Sequence, residues 1–185
     1  MKLIDAIYQR RSVRDYTERA VEQDLLRAVI AAAIQAPNAM NRQPWSFTVV
    51  TNRAALNRCS EQAKAYLLAT LSSNPHLAGY RGHLESSSFN IFYNAPALIV
   101  ISTSELDEMA QHDCCLAAEN LMLAAHEHGL GTCWIGFAEP WLNQRDGKSA
   151  LKIPAEHSCV APIIIGYSRG ETPAPPRHPP HITWI

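Results

Sequence analysis

Three arginines and a serine fall within five residues at Arg10-Arg11-Ser12-Val13-Arg14. Such a run is either a solvated charge cluster or an anion clamp. In a clamp, guanidinium forks match phosphate oxygens two at a time and the serine hydroxyl adds a donor. A second stretch, Ala36-Pro37-Asn38-Ala39-Met40-Asn41-Arg42-Gln43-Pro44-Trp45, sets amide side chains between two prolines that stop helix and strand alike. It is either a plain connector or a loop whose amides meet the edge of a heteroaromatic ring. Metal chemistry has thinner support: His112 and Cys115 share a helix face without a second ligand pair, and His126 and His128 point different ways. His76 and His83 lie in a loop with no acid or cysteine at ligand spacing, so no metal centre is expected. The five cysteines (Cys59, Cys114, Cys115, Cys133, Cys159) are odd in number and form no CxxC, which makes reduced, buried thiols the expectation.

The elements that must position these groups centre on a helix expected over 106–128. Its middle, 114–125, is apolar around nearly the whole circumference, so one buried face does not account for it and a second subunit is expected to cover one side. Ser104 is the expected N-cap, Asp107 and Glu108 place negative charge at the positive end, and Gly129 supplies a left-handed stop. Glu119 and Asn120 are the polar exceptions, expected to form buried hydrogen bonds that fix packing or dimer register. Apolar spacing predicts further helices over 2–10, 21–35 and 53–71, and strands over 47–51, 97–102, 132–137 and 160–167. Residues 139–142 open a short helical or irregular segment. The pattern dissolves over 72–94, a candidate rim or lid. Residues 172–180 are proline-rich extended chain, from which Arg177 can reach an anion site built elsewhere. Gly129-Leu130-Gly131 is no dinucleotide fingerprint, because it follows a helix and precedes a strand.

With 185 residues, 47% of them hydrophobic, the chain fits one globular domain over 1–185. A net charge of -1 removes any global argument for nucleic acid or an acidic membrane surface. Asp5 stands where a secretory signal would have its apolar run and no stretch has the length of a membrane span, so a cytoplasmic protein is expected.

Four segments taken together, Arg10 to Arg14, the 36–45 loop, Gly129-Leu130-Gly131-Thr132-Cys133-Trp134-Ile135-Gly136, and Gly166-Tyr167 with the Arg177 tail, resemble the FMN-dependent nitroreductase family in order and spacing. The resemblance implies an α+β fold with a central mixed sheet flanked by helices. It also implies an obligate homodimer with a long interface helix, an extended C-terminal tail crossing to the partner, and two FMN molecules between the subunits. Carried over by position, Arg10, Arg11, Ser12 and Arg14 would hold phosphate and ribityl oxygens, with Arg177 completing the phosphate site. Pro37, Asn38, Ala39 and Asn41 would approach the flavin from the other subunit. Trp134, Ile135 and Gly136 would run along the ring with a backbone N–H facing N5, and no side chain is assigned as a catalytic acid or base. The implied activity is ping-pong transfer of a hydride from NADH or NADPH through FMN to a nitro compound, quinone or other small acceptor. The alternatives are a flavin-binding or storage protein without turnover, or flavin destruction, reductive dehalogenation or azoline dehydrogenation on the same fold. Two departures from the family pattern stand out: Pro175-Pro176 replace a lysine near the tail arginine, and no helical lid separates the 97–102 strand from the long helix. The pocket is therefore expected to be open, with 72–94 as its partial cover.

Overall fold

The computed structural model describes every residue except 1 and 74, and the side chain of His76, named above, lies outside the described side chains. Four strands, β1 (Trp45–Val50), β2 (Ala97–Thr103), β3 (Gly131–Trp134) and β4 (Ser158–Gly166), form a sheet in the order β1-β2-β4-β3. All three ladders are antiparallel. The sheet is mixed only through an isolated parallel bridge, Ser12 to Thr132, on the outer edge of β3.

Strand β2 is buried at every position because it is paired on both edges and covered on both faces. Leu98 and Val100 pack into a core shared with α3 (Arg53–Ala69) and α6 (Glu139–Leu142). Ile99 and Ile101 face the other way, into a core shared with α2 (Gln23–Ala33) and α5 (Glu108–Glu127). The remaining helices, α1 (Leu3–Gln9), α4 (Arg81–Glu85) and α7 (Arg145–Ala150), are short.

The long helix, α5, is capped by Asp107 rather than by the expected Ser104. The Asp107 carboxylate accepts the Ala110 N–H at 2.9 Å and is itself gripped by Arg42 at 2.8 and 3.1 Å, a contact 65 residues away in sequence. Its other end fits expectation: Gly129 takes φ 73°, its N–H donates to the His126 carbonyl, and the Leu130 N–H reaches back to Ala125 at 2.8 Å. Within this chain α5 buries Cys114, Ala117, Leu121 and Ala125 and leaves Met109, Leu116 and Cys115 exposed. Glu119 is exposed as well, lying 3.6 Å from the Arg10 guanidinium, which corrects its expected burial. Asn120 donates to the Ala32 carbonyl of α2 at 3.4 Å. The other four cysteines are buried and all five are free thiols.

The 72–94 region is better ordered than its composition suggests. It folds as short 3-10 turns followed by α4, and buries Leu84, Ile91 and Phe92. A lysine that stands on a different element holds it: Lys64 of α3 is 4% exposed and donates to the carbonyls of Ser86 at 2.8 Å and Phe89 at 2.9 Å, with Glu61 at 3.2 Å. A buried ammonium is tolerable only when its protons are satisfied in this way.

Candidate functional site

A large cleft, about 1040 Å³, opens between the C-terminal half of α3, the 75–80 turn, α6 and the end of β3. Its walls are aromatic and neutral, with Tyr66, Tyr80, Tyr93, Trp134 and Phe137 among them. Arg14 is the one charged side chain among the described lining residues. The 10–17 segment lies along the free edge of β3, where the Val13 N–H donates to the Thr132 carbonyl at 2.9 Å. That approach requires glycine at 131, because a Cβ there would lie 2.6 Å from a Val13 methyl. Tyr16 locks the turn from beneath, its hydroxyl donating to the Val13 carbonyl at 2.8 Å, and burial pushes this phenol far above its ordinary range.

Across the cleft, Tyr93 adopts a left-handed backbone with φ 51° and packs edge-on against Phe89, while the Arg14 guanidinium carbon lies 5.9 Å from its ring centre. A tyrosine in this conformation costs on the order of 1 kcal/mol, so its placement at a cleft wall is held by its surroundings. Tyr80 meets Phe137 edge to face at 5.3 Å, and both line the cleft. The Cys133 thiol is raised by burial, with Arg14, a Ser12 hydrogen bond and Arg10 pulling the other way. It is a neutral wall group rather than a nucleophile.

The sequence-assigned residues separate into four places. Arg14, Trp134, Ile135 and Gly136 line the large cleft. The Ile135 N–H is spent on the Pro162 carbonyl at 2.8 Å, and the Gly136 N–H has no acceptor among the described residues, which leaves it as the amide that can serve a ligand. Arg10 and Arg11 line a second cavity of about 620 Å³ on the other side of β3, where Thr132 replaces Cys133 in the wall because successive strand residues face opposite ways. Ser12 sits between the two cavities, bridged to Thr132. Pro37, Asn38, Ala39 and Asn41 line neither cavity; their loop is fastened to the start of α5, with the Ala39 N–H donating to buried Asp113 at 3.1 Å. Arg177 is exposed on the tail and lines neither cavity. This chain alone therefore does not bring Arg177 and the loop to the arginine segment.

Sequence reasoning missed Tyr66, Thr70, Tyr93 and Asn143 in the cleft wall. Tyr66 and Thr70 stand four apart at the end of α3, a spacing that puts both on one face and was the available signal. Tyr93 and Asn143 arrive from distant segments without one.

The cleft has the lining for a planar heteroaromatic ligand, with aromatic walls and a single cation. Its Thr70 hydroxyl and its Asn143 and Gln144 amides donate to backbone carbonyls and hold the wall itself. No cluster of three or more His, Cys, Asp or Glu able to hold a metal occurs among the described residues. No helix among the described residues is long and apolar enough to cross a membrane.

Comparison with known proteins agrees with this geometry. The model of the nitroreductase family matches residues 7–167. A protein of Methanothermobacter thermautotrophicus assigned as an NADH dehydrogenase/NAD(P)H nitroreductase is 33% identical over 172 residues, covering 90% of this chain and 78% of the relative. A 5,6-dimethylbenzimidazole synthase of Rhodospirillum rubrum is 28% identical over 193 residues, covering 93% and 85%. The crystal structure of a nitroreductase with bound FMN from Bacteroides fragilis superposes with a TM-score of 0.87 at 28% identity, over 100% of this chain and 99% of that one. By its sequence over most of its length, and by a fold that matches end to end, the chain belongs to the nitroreductase family.

Proposed function

We propose that the protein is an FMN-dependent oxidoreductase that takes a hydride from NADH or NADPH and passes electrons, in ping-pong order, to a nitro compound, quinone or similar small acceptor. The observation that carries this reading is the large cleft, aromatic-walled, singly cationic and ending in the unpaired Gly136 amide. Bound FMN supplies the hydride chemistry itself. Arg14 contributes positive charge in a neutral cavity, where a charge acts through a lower dielectric than in water. The Gly136 N–H is a fixed dipole at the end of β3, already oriented before any ligand arrives. Tyr80 and Phe137 exclude water from the cleft, and Tyr93 holds the opposite wall. Arg10 and Arg11 take the phosphate.

The same reading assigns Arg177, Pro37, Asn38, Ala39 and Asn41 to a site completed by a second copy of the chain. Its support is a set of exposed apolar side chains on α1 (Leu3, Ile4, Ile7, Tyr8), on the neighbouring α5 (Met109, Leu116) and on the tail (Ile182, Trp184). Light scattering of the flavin-loaded protein is expected to give a dimer, and Leu116→Lys to shift it toward monomer with loss of flavin. A flavin-loaded monomer at micromolar concentration would remove the two-subunit site.

The activity is tested by anaerobic stopped-flow, following flavin absorbance on mixing with NADH or NADPH and then with each acceptor. Bleaching by the nucleotide and recovery with a quinone or nitroarene is the expected result. The Rhodospirillum relative gives ground for a second reading, a different reaction on the same fold. A storage role predicts no stimulation of NAD(P)H oxidation by a quinone.

A further inference from the structure

The second cavity holds more polar chemistry than two arginines. Its floor includes His126, in the last turn of α5, and Thr132 of β3. The His126 Nε2 is buried with no hydrogen-bond partner among the described residues, and the Thr132 hydroxyl, on a residue 1% exposed, has none among them either. Buried polar atoms are seldom left unpaired, and two of them in one cavity with two guanidinium groups point to a missing anionic ligand. The glycine stop fixes the backbone under His126, since its carbonyl accepts the Gly129 N–H at 3.0 Å.

We propose that His126 is a proton-linked ligand for a phosphomonoester held in the Arg10–Arg11 cavity, taking up a proton from solvent as the dianion enters. This rests on the reading that a phosphate group occupies that cavity. In the free protein the imidazole is held neutral by burial first, and then by the positive charges of Arg10 and Arg11, with Glu127 opposing. Arg10 is partly offset by Glu119 at 3.6 Å, and Arg11 spends one nitrogen on the Tyr8 and Arg10 carbonyls at 2.7 Å each. Glu171, at the start of the tail, is the acidic side chain lining the cavity. A doubly negative phosphate outweighs the two guanidinium charges and favours the imidazolium, which donates from Nε2 while the Thr132 hydroxyl donates beside it.

Two phosphomonoesters fit this chemistry, the FMN phosphate and the 2′-phosphate of NADPH. Calorimetry in two buffers of different ionisation enthalpy counts protons taken up on binding. It is run at about pH 7.5, where a phosphomonoester with a second pKa of about 6 is already dianionic. Wild-type apoprotein is expected to take up close to one proton with FMN and none with riboflavin. His126→Gln is expected to lose that uptake and roughly tenfold in FMN affinity, without change toward riboflavin. Uptake with NADPH but not NADH on the FMN-loaded protein, absent with FMN itself, would uphold the proposal with the nucleotide as the source. Histidine-selective nitrogen NMR of the wild type, following protonation of the His126 ring on ligand addition, gives the answer even if the variant fails to fold. No uptake with any of these ligands, or uptake that persists in His126→Gln, overturns the proposal. Equal affinity for FMN and riboflavin would instead overturn the placement of the FMN phosphate.

Discussion

The 36–45 loop and the 171–185 tail are alike in being rich in proline, yet the structure treats them oppositely. The loop is fastened at three points: Ala39 to Asp113, Gln43 to its own Asn38 side chain at 2.9 Å, and Arg42 to Glu105 and Asp107. These contacts hold Met40, Asn41 and Gln43 at φ between 51° and 54°, each costing on the order of 1 kcal/mol for a residue with a Cβ. The tail makes no hydrogen bond or ion pair beyond residue 170 among the described residues, and ends with Trp184 89% exposed. One segment is shaped by its own chain, and the other is not.

Asp113→Ala is expected to have the largest effect on stability, because it leaves the Ala39 amide unpaired against a loop already strained. A loss of about 1–3 kcal/mol should appear as a lower midpoint in urea unfolding of the apoprotein. Arg177→Ala should do the reverse. Apoprotein unfolding stays put, while FMN affinity falls about ten- to a hundredfold and riboflavin affinity barely moves, as read by quenching of flavin fluorescence. An equal loss for both flavins would show that the tail packs rather than binds phosphate, and the contrast with the loop would collapse.

The smallest effect concerns Arg42, whose ion pairs are exposed and screened by salt. The Arg42 hydrogen bond holds the Asp107 carboxyl down at about 2, below its ordinary 3.8. A carboxylate with a depressed folded-state pKa contributes fully above the unfolded value and loses its contribution as pH falls through the folded one. Thermal unfolding of Arg42→Ala should therefore differ from wild type by a constant amount from neutrality to about pH 4, and the gap should close as pH falls toward about 2. A gap that widens with acid would remove Asp107 as the partner that matters.

Much of the scaffold was legible in the residues. Alternation and apolar runs located all four strands, and the Gly129 stop was readable because few other residues take that conformation. The N-cap of α5 was placed three positions early because Ser104 and Asp107 are both capping types. What decides between them is Arg42, a partner no local window contains. Order in 72–94 was hidden for the same reason, its clamp being Lys64 on α3. The arginine segment was found, but its division between two cavities depends on β3 passing beneath it, and the pleat of a neighbouring strand is not written in Arg10 or Arg14.

That seam has a consequence for the order of assembly. The Val13 amide pairs with Thr132 and the Thr17 amide with Tyr167, so the segment carrying Arg14 is joined to chain made more than a hundred residues later. Contacts of such separation close late, because the intervening chain must first be ordered. The arginines are thus made long before the strand they lie against and are among the last residues to find their places. In pulse-labelled refolding, the Val13 amide should gain protection after those of β2 and its neighbours. Protection of Val13 ahead of the β2 amides would mean that the site nucleates the fold instead.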